Sequence, residues 1–359
     1  MLNFSIGPVQ SNDAVLAIGA EQVPYFRTAE FSGLMLENER LMKKLSCATP
    51  ESRVAFLTCS GSGGMEAAVM NTLTGDDKAM VVNGGSFGER FVELLKLHGI
   101  PFTEIKPGRG KALNPEHLAP YEGKGYTAFL VQKHETSTGV HYDMDLVSRF
   151  CKRNGCFLIV DAISSFLADP FDMARLDAGV MITASQKALA CPPGIAIMVL
   201  APSALERIEK TKCSCQYLDL NLALKNQERG QTPWTPAVGV LRQINVRLNE
   251  IDAMGGAEAE VERTARLAKY FRARLKECQL PFEIVSESMS NAVTPLHPTT
   301  RSAFEIFLKL KDEYGIWICP NGGDMKDTVF RVGHIGFLSE TDYERLINAF
   351  LDLREKQFI

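Results

Sequence analysis

The sequence predicts an α/β protein: a large domain on a mostly parallel sheet with helices on both faces, then a smaller C-terminal α+β domain. Three observations carry this reading. Over residues 53–200, short apolar runs rich in β-branched residues alternate with helical patterns, the signature of strand–helix–strand units. Three of these runs, 157–160, 180–183 and 194–200, lie close together and are bounded by polar or small residues, as buried strands are. Past Gly255-Gly256 the pattern changes to a long charged helix and shorter strands, which puts a boundary near residues 250–257. The expected division is an N-terminal segment 1–14 near the active site, a large domain 15–252 and a small domain 253–359.

The chain opens on Ser5-Ile6-Gly7-Pro8-Val9, where Gly7 either forms a plain turn or lets the backbone approach a ligand closely. Arg27 reads as one half of a structural ion pair, and an amphipathic helix follows over about 32–45. Residues 53–59 read as a strand running into Ser60-Gly61-Ser62-Gly63-Gly64 and then the helix formers of 65–70. Such a turn is either an anion site, where free N–H groups and the helix dipole converge, or a tight turn with a good N-cap. No Lys-Ser/Thr follows, so it is not a P-loop, and Glu66 occupies the place of a dinucleotide motif's third glycine.

The next strand is 79–82. Phe87 follows at a helix start, either as core or as a ring that stacks on a ligand. Strands at 102–105 and 127–132 come next. The polar cluster 133–139 after the second lies where open α/β sheets keep their ligands, although His134 alone says little. A helix over 146–153 leads to the three central strands, and another covers 202–212. The segment 231–236 breaks the pattern before two long helices, one to about Met254 and one over 257–278. The small domain reads as strands at 282–285, 292–296, 316–318 and 329–333 with helices at 302–314 and 340–353. Arg331, inside the last strand, needs an anion: a buried structural carboxylate, or a substrate carboxylate held by its planar fork.

Composition excludes several classes. The 359 residues are 45% hydrophobic and 23% charged, with a formal net charge of −4 and no basic cluster, so neither nucleic acid nor an anionic membrane is expected as a partner. No apolar run is long enough to span a bilayer, and the start lacks a signal-peptide pattern. Nine scattered cysteines without zinc spacing predict reduced thiols, a cytoplasmic setting and no metal site.

Asp161 and Lys187 stand at or just past the ends of buried strands, where a charge needs a partner or a task. They pair with each other, or are exposed loop charges, or form the two poles of a pyridoxal phosphate site. In the last case Lys187 forms the imine with the cofactor aldehyde, and Asp161 keeps the pyridine nitrogen protonated so that the ring accepts electrons. The glycine turn, Phe87 and Arg331 would then be the phosphate cradle, the stacking ring and the carboxylate clamp.

With these residues in this order, essentially the whole chain resembles the class V, fold type I pyridoxal phosphate aminotransferases. This is the family of serine–pyruvate, alanine–glyoxylate and 2-aminoethylphosphonate–pyruvate aminotransferases. Ser60-Gly61-Ser62 resembles its phosphate turn and Phe87-Gly88-Glu89-Arg90 its ring-stacking element, with phenylalanine where tryptophan or tyrosine is frequent. Glu135-Thr136-Ser137-Thr138-Gly139 resembles the segment whose serine or threonine touches the cofactor. Val160-Asp161-Ala162-Ile163 and Ser185-Gln186-Lys187 resemble the pyridine-nitrogen and imine motifs, and Phe330-Arg331-Val332-Gly333 the carboxylate clamp.

The resemblance implies a large domain with a seven-stranded, mostly parallel sheet. It implies a cofactor, pyridoxal 5′-phosphate, held by Ser60, Gly61, Ser62, Phe87, Ser137, Thr138, Asp161, Ile163, Gln186, Lys187 and Thr235, and substrate at Gly7 and Arg331. Thr235 matches a position that reaches the phosphate of the neighbouring subunit, which implies a homodimer with shared sites. The implied reaction is ping-pong amino transfer, with Lys187 and Asp161 catalytic, from a small amino acid or aminoethylphosphonate to a 2-oxo acid such as pyruvate or glyoxylate. A cysteine desulfurase on this fold would carry histidine where Gln186 and Phe87 stand, and its cysteine in a long loop; Cys319 sits between Ile318 and Pro320. A non-catalytic relative would have lost Lys187 or Asp161. The motifs leave the amine donor open.

Overall fold

The computed structural model describes all 359 residues. At its centre is a seven-stranded sheet made of β1 Arg53–Leu57, β2 Ala79–Val82, β3 Phe102–Ile105, β4 Ala128–Gln132, β5 Phe157–Asp161, β6 Ala178–Ala184 and β7 Ala196–Leu200. The order is β1-β7-β6-β5-β4-β2-β3. β7 runs antiparallel to both neighbours, and the other pairs are parallel. The inner strands are buried along their whole length, which is why they read as continuous apolar runs and not as alternating ones.

Alternate side chains serve two cores. Leu130, Ile159, Ile182 and Met198 pack with Ala67, Phe91 and Ile208, while Phe129, Leu158, Val160 and Val199 pack with Leu41, Phe150 and Leu248. Each fully buried Val, Leu or Ile contributes about 1.5–3 kcal/mol, so these strands set the frame on which the site is hung. The covering helices are α1 Asp13–Ala20, α2 Ala29–Leu45, α3 Gly61–Thr72, α4 Ser86–Leu97, α5 Met144–Asn154, α6 Pro202–Lys210, α7 Leu220–Gln227 and α8 Val238–Ala253. α3, α4, α6 and α7 lie on the first face, α2, α5 and α8 on the second.

Several elements depart from expectation. α1 and α7 are short, capped by Asn12 and Asp219, and bury few side chains, so periodicity gave little sign of them. α3 begins at Gly61, because the glycine turn is itself the first helical turn. Arg27 forms no ion pair: its guanidinium donates to the Gln231 side-chain oxygen and to the carbonyls of Thr232 and Pro233, and so holds the loop before α8.

The C-terminal unit follows α9 Gly256–Glu277. It holds an antiparallel sheet of β8 Phe282–Ile284, β9 Val293–Pro298, β10 Cys319–Pro320 and β11 Phe330–Gly333, ordered β8-β9-β11-β10. The strand expected at 316–318 forms over 316–317 and pairs outside this sheet, with Leu2 and Asn3 at the N-terminus. Leu2 and Phe4 join the core of this unit with Phe271 and Leu346. The N-terminal strap then crosses to the large sheet, where the Val9 N–H donates to the Gln186 carbonyl at 3.3 Å.

Candidate active site

Lys187 sits in the turn between β6 and β7. Ser185 ties that turn together, its hydroxyl donating to the Pro192 carbonyl at 2.7 Å and accepting from the Ile195 N–H at 3.3 Å. Gly7 is held against the lysine. With φ at +143°, a Cβ on it would stand 2.8 Å from Lys187 Cδ and 2.9 Å from Nζ. The backbone approach open to Gly7 in the sequence is therefore an approach to the lysine amine. Burial pulls that amine down to about 8, and the positive charge of Arg331 pulls the same way.

Asp161, at the end of β5, is 5% exposed. Its Oδ1 accepts the Ile163 N–H at 2.8 Å, and no other hydrogen bond reaches its carboxylate. No ion pair within 4.0 Å joins it to Lys187. Burial pushes its carboxyl up to about 7, with the charge of Glu135 adding to the shift. A carboxyl in this state would be drawn back to its ionised form by a cation placed opposite it.

At the start of α3, Ser60 makes no side-chain capping bond. The Gly64 N–H donates back to the Ser60 carbonyl, so the N–H groups of Gly61, Ser62 and Gly63 lie ahead of the helical ladder and are free for an anion. Gly61 packs on Ile163, where a Cβ would come within 2.7 Å of Ile163 Cδ1, so the anion turn and the Asp161 loop touch. Ser62 Oγ accepts from Arg90 at 2.7 Å, and the Arg90 guanidinium lies 5.3 Å from the centre of the half-buried Phe87 ring. Arg90 is one helical turn from Phe87, a spacing that the sequence displays.

Glu135 is the residue that sequence reasoning missed. Wholly buried, it accepts the N–H groups of Phe87 and Gly88, at 3.2 and 3.0 Å, together with the Ser137 N–H and hydroxyl. It thus caps α4, whose own N-cap is Gly85 and has no side chain to offer. That bare N-cap was the available signal. The Ser137 hydroxyl also accepts from the Ser86 N–H, and the Thr138 hydroxyl faces the Glu135 carbonyl at 3.5 Å. Burial pulls His134 down to about 3, so it is neutral, and it meets Ser164 at 2.8 Å.

Arg331 has no carboxylate partner. Its guanidinium donates to the carbonyls of Thr136 and Pro320, and its buried Nε has no acceptor. The structural-carboxylate alternative is therefore excluded, and a cation faces the site without an anion. Gln186 likewise carries a buried side-chain oxygen without a partner. Thr235 is exposed, beside the stacked pair Tyr217 and Trp234, and hydrogen-bonds to none of these residues. The free N–H groups of α3, the singly bonded Asp161, the lysine backed by Gly7 and the anion-free Arg331 together fit pyridoxal phosphate and a carboxylate substrate.

The model of the family aminotransferase class-V matches residues 24–318. A Synechococcus protein named soluble hydrogenase, small subunit, is 31% identical over 351 residues, covering 96% of this chain and 90% of that one. The L-aspartate–glyoxylate aminotransferase of Paracoccus denitrificans is 28% identical over 306 residues, covering 81% and 76%. The solved aspartate aminotransferase of subgroup IV from Thermus thermophilus superposes with a TM-score of 0.91 at 26% identity, covering 99% of both chains.

Proposed function

The chain belongs to the class V aminotransferase family, and on that premise we propose that it moves an amino group from a small amino acid or aminoethylphosphonate to a 2-oxo acid such as pyruvate or glyoxylate, with pyridoxal 5′-phosphate as cofactor. The observation that carries this reading is a half-buried Lys187 backed by Gly7 at the same sheet edge as a buried, singly bonded Asp161.

When bound, the cofactor supplies an aldehyde that takes up amines and a ring that absorbs the charge left by a departing α-proton. The start of α3 (Ser60, Gly61 and Ser62) would hold its phosphate, Gln186 would contact the cofactor, and Phe87 would stack on its ring. The Ile163 N–H orients Asp161, which would pair with the ring nitrogen. Glu135 caps the helix that carries Phe87 and holds Ser137 and Thr138, which would border the cofactor. Lys187 would anchor the cofactor covalently. Lys187, when free, would act as the base that takes the α-proton and as the acid that gives it back, and an amine brought down to about 8 suits both roles near neutral pH. Arg331 would grip the acid group of the donor, carboxylate or phosphonate, and the carboxylate of the acceptor in turn, with Gly7 on the substrate side, so the two half-reactions would share one clamp.

The exposed Thr235, in a loop that also shows Trp234, supports a homodimer in which each copy completes the other's phosphate site. No helix is long and apolar enough to cross a membrane. The nine cysteines are all free, which supports a cytoplasmic setting. An absorption spectrum followed by titration with a panel of amines tests the reading. A visible band that one donor bleaches and one 2-oxo acid restores is the expected result. No band after adding pyridoxal phosphate would overturn it.

A further inference from the structure

Gln132 ends β4 directly beside Asp161, its register partner at the end of β5. Register partners on adjacent strands share a face, and this is the face on which Leu130 and Ile159 pack beneath α3 and α4. The Gln132 side chain is 0% exposed, and neither its amide nitrogen nor its amide oxygen has a hydrogen-bond partner. A primary amide offers two donors and an acceptor, and native proteins seldom bury one unmet. The adjacent group with spare acceptor capacity is the Asp161 carboxylate, which takes a single bond from the Ile163 N–H.

We propose that Gln132 is a positioning residue for Asp161: with the cofactor seated, its amide donates to the Asp161 carboxylate, directly or through one trapped water, and keeps that carboxylate ionised opposite the ring nitrogen. The proposal rests on the cofactor reading above. A donor to the charged form opposes burial, which otherwise pushes Asp161 upward. The other charged groups that act on Asp161 are Glu135 from the segment after β4, Lys187 from the turn after β6 and Arg90 from α4. Glu135 is an acceptor taken up by the N-terminus of α4, Arg90 is turned to Ser62 and the Phe87 ring, and Lys187 is the residue that the cofactor would engage, so Gln132 is the buried donor with no partner at all.

The test uses the full-length apoprotein and pyridoxal phosphate as titrant. Gln132→Met keeps length and volume but removes the amide; Gln132→Asn keeps an amide. The melting temperature of each apoprotein and its cofactor dissociation constant are measured across pH 5.5–9, a window of about one to two units either side of neutrality. The Met apoprotein melts at or above wild type, since an unmet buried amide is gone. Its cofactor affinity falls about tenfold near neutral pH, and the acid limb of binding moves up by about one pH unit, because losing a donor raises the Asp161 pKa. The Asn variant recovers part of both.

A Met variant with wild-type affinity and an unmoved acid limb overturns the proposal. So does an affinity loss that tracks a lower melting temperature with the limb unmoved, which marks packing alone. Should the Met variant fail to fold, Gln132→Glu is read instead: it removes the donor and adds a like charge, so the limb moves further, and an unmoved limb overturns the proposal. Wild-type apoprotein that binds no pyridoxal phosphate refutes the cofactor reading, whereas wild-type binding with unmoved variants refutes only the role of Gln132.

Discussion

Gly7→Ala separates backbone strain from catalytic geometry. At φ +143° a side chain costs about 1–3 kcal/mol in strain. The added methyl would meet Lys187 Cδ at 2.8 Å, Nζ at 2.9 Å and Cε at 3.0 Å. Carbon contacts settle near 3.5–4.0 Å, so the end of the lysine must retreat by about 1 Å. That retreat is cheap for a flexible side chain, so the stability loss should equal the backbone term alone. It is costly for chemistry, because about 1 Å of misplacement is worth about 10²-fold in rate. The assays are urea unfolding of the apoprotein and stopped-flow growth of the visible band on adding cofactor. The expected result is a loss of about 1–3 kcal/mol in unfolding free energy and covalent attachment about 10²-fold slower, with initial non-covalent capture at α3 unchanged. Wild-type attachment in a fully folded Ala variant would refute the reasoning that Gly7 is kept for the lysine.

Lys187→Ala should lose the visible band of lysine-bound cofactor and slow the half-reaction by about 10²–10⁴-fold in single-turnover measurements. Arg331→Lys should raise KM for the 2-oxo acid about 10–100-fold, since a point charge cannot replace a guanidinium fork whose charged hydrogen bonds are worth about 1.5–3 kcal/mol. Labelling of Lys187 in the apoprotein by an amine reagent should rise with pH and level off above about 8, well below the range of an ordinary lysine. Because its pKa is lowered on folding, the unfolded chain binds more protons than the folded one between about 8 and 10.5. Apoprotein stability therefore rises with pH across that window and levels off below about 8, where both states are protonated. Lys133, also lowered to about 8 by burial, adds the same sign. Lys187→Met should flatten part of the slope seen in pH-dependent urea unfolding.

Local pattern was enough to reveal the large sheet, because strands buried on both faces are continuous apolar runs. The same property exposed Asp161 and Lys187, since a charge that ends such a run stands out against its surroundings. The glycine-rich first turn of α3 and the arginine inside β11 stood out for the same reason: each is a residue type that costs stability in its own element. What stayed hidden depends on partners distant in the chain. Leu2 pairs with Ile316, Arg27 binds a loop some two hundred residues on, and Glu135 caps a helix 47 residues before it. Gly7 meets Lys187 only because the N-terminal strap is stitched to the C-terminal unit before it crosses the sheet. The sequence by itself determined the layers, the strand ends and the chemical types at the site, because these follow from local hydrophobic pattern and the cost of burying charge. The tertiary structure alone decided which polar groups are satisfied and which are left open, because hydrogen-bond partnership depends on distances of about 3 Å between segments that no local pattern relates.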